Sequence, residues 1–355
     1  MSNHKSSAAT MRRVTGVTPE MSSETVLELG PLAPLVGKWE GKSTGWNMIA
    51  LPFKDSTNPK IPYRILMNQY DEKLDFSTVG DKIPNRGISE DQEVATLDYQ
   101  QVVTQINAED FPDTRDNPND PDDHGQAGPP GSDIHHEPGL WIFVKDGEPK
   151  INGINIARLA SIPHGNSVLA TGISDEVEGM PEIPGVNALP FGRFESIDQT
   201  PPDEYDFRDP ADEYLSPYKH YIDHPFMGTA AGFPGFPGFS PRDMNQILNF
   251  ANQGVDIVKT TVLNVDSTRE HGGIKNMPFV QREAEPVSMR STFWIQQLRE
   301  KDNYGNPKLR LQYSQIVMLD FFPNREDQMP GRAQWPHISI NTLEKVGEYP
   351  NYPVN

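Results

Sequence analysis

Three short segments carry the side chains that could do chemistry. His135-His136-Glu137-Pro138-Gly139 sets an imidazole and a carboxylate two residues apart, directly before the apolar run Leu140–Val144. In an extended chain His135 and Glu137 project to one face, where the carboxylate can orient the imidazole or receive its proton. The same residues also suit a hydrogen-bonded corner closing the acidic loop before them. Ile162-Pro163-His164-Gly165 is a tight turn between the run holding Arg158 and the run starting at Ser167, so His164 belongs at a rim. A solvated turn histidine would give the same pattern. Trp335-Pro336-His337-Ile338-Ser339 opens the last strand-like run and makes His337 a candidate metal ligand. His337, Ser339 and Asn341 share one face of that run, and Ile338 and Ile340 share the other. Either the inner face is polar there, or both faces are covered. His135, His164 and His337 with Glu137 also form a donor set that could hold a single zinc or iron ion.

The elements that must position these residues are strands. Short runs rich in β-branched and aromatic residues start at Lys38, Trp46, Tyr63, Val94, Leu140, Ile156, Ser167, Val258, Thr292, Leu309 and His337. They predict an all-β fold: an antiparallel up-and-down barrel of roughly ten strands. Residues 1–27, polar and without periodicity, are expected to be a flexible arm. Residues 28–348 form a single barrel domain, and 349–355 a tail. Two stretches interrupt the strand rhythm. Residues 110–133 are acidic and proline-rich, as an exposed loop would be. Residues 175–255 form a Pro/Gly-rich insertion, lid-like or flanking, with one expected helix. Ser240 would be its N-cap, Pro241 its first residue and Gly254 its stop, and Met244, Ile247, Leu248 and Ala251 would make its apolar face.

Composition narrows the function. A net charge of −19 disfavours nucleic acid and anionic membrane surfaces as partners. Without cysteine there is no disulfide framework, thiolate zinc site, iron–sulfur cluster or cysteine nucleophile. No run approaches a membrane span, and the first residues lack the apolar stretch of a secretory signal, so a cytoplasmic location is expected. The signatures of P-loop, dinucleotide-binding, serine-hydrolase and zincin sites are absent.

Gly37-Lys38-Trp39-Glu40-Gly41 adds a Gly-x-Trp strand entrance, in which the tryptophan plugs a barrel end. Taken in order, GKWEGKSTGW, the HxExG of residues 135–139 and the histidine opening PHISINTLEKV resemble the nitrobindin-like barrels. HxEPGLW, IPHG and WPHIS are similar to longer relatives described as heme-binding or fatty-acid-binding-like. The resemblance spans most strand segments but not the arm, the acidic loop or the insertion. It implies a b-type ferric heme with His337 as its proximal ligand; from the residues themselves, Trp335 and Trp39 are candidate cofactor-binding aromatics, and His135, Glu137, His164 and Arg158 are the candidate catalytic groups. The resemblance implies small oxygen or nitrogen species as ligands, with nitric oxide binding or peroxynitrite isomerisation as the activity, whereas the large insertion and the extra polar residues would instead fit a peroxide-dependent oxidation of a hydrophobic substrate. Pro138 stands where the family usually has threonine. A heme-free carrier or pocket enzyme for a hydrophobic metabolite needs only the barrel and its mouth.

Overall fold

The computed structural model describes residues 28–53, 61–88, 91–145, 153–162, 164–190, 213–303, 305–321 and 333–347. The strands are β1 (Gly37–Pro52), β2 (Tyr63–Asn85), β3 (Gln92–Phe111), β4 (Asp133–Val144), β5 (Ile156–Ile162) and β6 (Asn166–Glu178). They continue as β7 (Ile257–Asp266), β8 (Gly273–Asn276), β9 (Glu285–Lys301), β10 (Pro307–Phe321) and β11 (Ala333–Gly347). Every pairing is antiparallel. β1 joins β11 and β5 joins β6, so ten strands close a barrel in which each neighbour is also next in sequence, apart from short β8. β8 pairs with the start of β6 and fills the wall beyond the end of β7. The runs at Lys38 and Trp46 are one strand, broken by a register shift between Gly41 and Gly45. The expected arm and tail lie outside the described residues. Among the described residues, no helix is long and apolar enough to cross a membrane.

The burial pattern along β2 shows how the barrel is dressed. From Tyr70 to Phe76 buried and more exposed residues alternate, as in a wall with one face to water. From Tyr63 to Tyr70 nearly every residue is buried, so this half of the wall is covered on both faces. The outer cover is the insertion. Trp46, Met48, Ile65, Met67, Ile338 and Ile340 from β1, β2 and β11 share one apolar cluster with Tyr218, Phe226, Phe239, Met244 and Leu248 from the insertion. Trp46 meets the rings of Phe226, Phe236 and Phe239 at centroid distances of 5.9, 5.4 and 5.9 Å. The proline-spaced FPGFPGF run therefore packs aromatics on the wall without joining the sheet.

The described part of the insertion is thus an outer buttress, where a lid over the mouth had been one expectation. It has two α-helices rather than one: α1 (Ser216–Asp223) and α2 (Gln246–Ala251). The helix expected from Ser240 starts only at Gln246, because residues 240–245 are used in turns that bond back to the chain near Val186. The expected face is nonetheless correct at Met244, Ile247 and Leu248, all buried. A third short helix, α3 (Pro278–Glu283), follows β8.

A 3-10 turn (Gly30–Leu35) closes one barrel end. Its Leu32, Ala33 and Leu35 pack with Trp39, whose indole N–H donates to the Leu35 carbonyl at 2.7 Å. Trp39 is therefore the end plug.

Candidate functional site

The opposite end opens into a cavity of about 370 Å³, within the size range of small-molecule sites. On β1, Asn47, Ile49 and Leu51 face it while Trp46, Met48 and Ala50 face the buttress. The same alternation on β11 turns His337 and Ser339 inward and Ile338 and Ile340 outward. Both sequence alternatives for that strand hold together: the inner face is polar and both faces are covered. Val317 and Leu319 of β10 and Met289 of β9 add apolar wall, and Ile274 of β8 and Val280 of α3 stand at the mouth.

Three sequence-predicted histidines meet here. His135, His164 and His337 all line the cavity, and the rings of His135 and His164 are 5.8 Å apart. His164 is exposed at the rim, in the β5–β6 turn. His337 lies deeper, and its imidazole has no hydrogen-bond partner among the described residues. Desolvation, helped by the nearby His135 and His164, lowers its pKa to about 4, so the ring is neutral at physiological pH. His164 is lowered by the same causes in the same order: burial first, then His135.

Glu137 and Arg158 do not line the cavity but form an ion pair in the barrel behind it. Glu137 is fully buried. Its Oε1 accepts from Arg158 Nη2 at 2.7 Å and from the Tyr99 hydroxyl, and its Oε2 lies 3.2 Å from His135 Nε2. Burial alone would raise the Glu137 pKa, but Arg158 and His135 overcome it and hold the carboxyl near 2. Arg158 also donates to Tyr99 at 2.9 Å and to Gln315 at 2.8 Å, and Gln315 does face the cavity. Gly139 makes this packing possible, since a Cβ there would lie 2.5 Å from the Tyr99 ring. The HxExG segment is therefore part of β4, with its glycine fitted to Tyr99.

Trp39 and Trp335, expected beside the cofactor, do not line the cavity. Trp39 plugs the closed end. Trp335 stacks on Phe321 at 5.2 Å and packs against Tyr63 at 4.5 Å within the buttress cluster. The four-residue metal set also fails: among the described residues, no group of three or more His, Asp or Glu is arranged to hold a metal ion. The carboxylate that set requires, Glu137, is committed to Arg158.

The sequence reading missed the polar floor. Tyr70, Gln101 and Tyr313 line the cavity bottom, and beneath them Glu72 is 2% exposed. Tyr313, Asn341 and Gln101 each donate to the Glu72 carboxylate at 2.7 Å. The available signal was parity, because Tyr70 and Glu72 share the inward face with Leu74 and Phe76. A second signal was Gly45, where a Cβ would lie 2.1 Å from the Tyr70 ring.

Neither a family model nor a curated protein matches the chain. Among solved structures, the crystal structure of Rv2717c from M. tuberculosis is similar at 13% identity and a TM-score of 0.35, over 90% of this chain and 98% of that chain. The barrel itself rests on the closed strand order described above.

Proposed function

We propose that this barrel binds a b-type ferric heme through His337 and uses it on small oxygen or nitrogen species. The observation that carries this reading is the His337 imidazole: neutral, without a hydrogen-bond partner, and set in a largely apolar cavity. A structural histidine in such a place would normally be satisfied by a neighbour. A lone pair kept free of protons and partners suits an axial iron ligand, and apolar walls such as Leu51, Val317 and Leu319 suit a porphyrin face. Bound heme would supply iron-centred binding and activation of the small ligand.

The chain's own residues account for the rest. Glu137 accepts from His135 Nε2, which leaves Nδ1 as the basic atom for a proton on the cavity side. Arg158 and Tyr99 fix the other Glu137 oxygen, so the imidazole is held from behind the wall. Arg158 is thus a positioning residue. His164 at the rim can exchange protons with solvent.

Electron paramagnetic resonance of the full chain loaded with one equivalent of hemin tests the reading. A high-spin five-coordinate ferric signal is expected. A low-spin bis-imidazole signal, or the signal of free hemin, would contradict it.

A second reading, a heme-free pocket for a hydrophobic metabolite, is favoured by the mouth, where Ile134, Ile162, Ile274, Val280 and Pro286 surround the entrance. Displacement of a fluorescent fatty acid by hemin separates the two: competition at equimolar hemin supports the heme site.

A further inference from the structure

We propose that Glu72 is a buried proton-accepting site that the cavity reaches through the hydroxyls of Tyr70 and Tyr313. The geometry is directional. The Tyr313 hydroxyl donates to Glu72 Oε2 at 2.7 Å, which leaves its oxygen to accept from the Tyr70 hydroxyl 2.8 Å away. Tyr70 has the Ile340 carbonyl at 3.1 Å as an alternative acceptor. Both tyrosines line the cavity and Glu72 does not. The hydroxyl protons therefore run downward to the carboxylate, and the Tyr70 oxygen offers a lone pair to a donor in the cavity.

Glu72 differs from Glu137 in lacking a cation. Glu137 has Arg158 at 2.7 Å, whereas Glu72 has no ion-pair partner among the described residues. Its neighbours are neutral donors from three strands: Gln101 of β3, Tyr313 of β10 and Asn341 of β11. The charged group that acts on it across the cavity floor is His135 of β4. Desolvation raises the Glu72 pKa above the ordinary glutamate value despite three donors and the field of His135. A carboxylate with raised basicity, reached by a hydrogen-bonded relay, is a better proton acceptor than an exposed glutamate.

The proton balance is simple. A cavity-bound weak acid, with an O–H or ammonium N–H, passes its proton to the Tyr70 oxygen. Tyr70 passes its own proton to Tyr313, and Tyr313 passes its own to Glu72. The ligand ends as its conjugate base, Glu72 as a carboxylic acid, and both tyrosines keep one proton each. The shifts must be concerted, since burial pushes both phenols well above their ordinary pKa and forbids a lasting tyrosinate. The relay requires no bound cofactor.

Infrared difference spectroscopy across pH, on the full chain carrying ¹³C-glutamate, tests the proposal. One buried glutamic-acid carbonyl band should appear as pH falls, at a pH above that of the exposed glutamates, and vanish in Glu72→Gln. Tyr313→Phe should move its midpoint up, because a donor to the charged form is lost. Tyr70→Phe should leave the midpoint in place but slow the band's appearance after a pH jump by on the order of tenfold or more. That kinetic arm stands even if Glu72→Gln fails to fold. A wild-type chain with no such band, a band that survives in Glu72→Gln, or a Tyr70→Phe rate equal to wild type would each overturn the proposal.

Discussion

His337 and Ile338 are consecutive residues on opposite faces of one strand: the imidazole lines the cavity, and the Ile338 side chain is completely buried against the buttress. The described part of the insertion therefore supports the backbone behind the candidate ligand.

Stability should depend on pH through His337. Its pKa is about 4 in the fold against 6.5 as the ordinary value. A histidine held neutral by folding contributes fully above the unfolded pKa, and that contribution fades as pH falls from 6.5 toward 4, by up to about 3 kcal/mol. Urea unfolding at pH 7 and pH 4.5 should show a smaller loss for His337→Gln than for wild type. Parallel losses in the two proteins would refute this.

Arg158 and Glu137 should behave as one unit. Removing the guanidinium leaves a buried unpaired carboxylate, so Arg158→Met should cost about 3–5 kcal/mol. Neutralising both, in Arg158→Met with Glu137→Gln, should cost less than the two single changes added together, by about 1 kcal/mol or more. Additive costs in denaturant melts would show that the pair is not coupled.

Trp335 should matter for folding and not for the cavity. It is completely buried, and its indole N–H has no partner among the described residues. Trp335→Ala should lose about 3–5 kcal/mol, and Trp335→Phe far less. Trp335→Phe should also bind hemin as wild type does. A Phe variant of normal stability that no longer binds hemin would return Trp335 to the cofactor wall.

The barrel was legible because its strands announce themselves in β-branched and aromatic runs. Those runs map onto the ten barrel strands once the two at Lys38 and Trp46 are joined across their bulge. β8 escaped notice because its four residues, none of them fully buried, carry no periodicity. The cavity histidines were legible as motifs, and the awkward parity at His337 correctly signalled a doubly covered wall. Parity put Tyr70 and Glu72 on the inner face, but the bond between Glu72 and Tyr313 was not legible, because β2 and β10 are not neighbours in the sheet and their side chains meet across the barrel interior. Trp39 is the end plug that its Gly-x-Trp entrance predicts, but its further reading as a cofactor wall, like that of Trp335, does not follow from the sequence for a related reason. A buried tryptophan has the same sequence signature whether it faces a ligand or another ring, and only packing tells the two apart.

The central claim is that His337 presents a free imidazole to a heme in this cavity. Titrating hemin into the purified full chain and into His337→Ala, with the Soret band as the signal, tests it most directly. The account predicts a sharp, saturable, one-to-one Soret shift for wild type. For the variant it predicts affinity weaker by at least about a hundredfold, in line with the loss of an axial ligand worth several kcal/mol. An identical spectrum and affinity in the two proteins, with the variant folded, would contradict it.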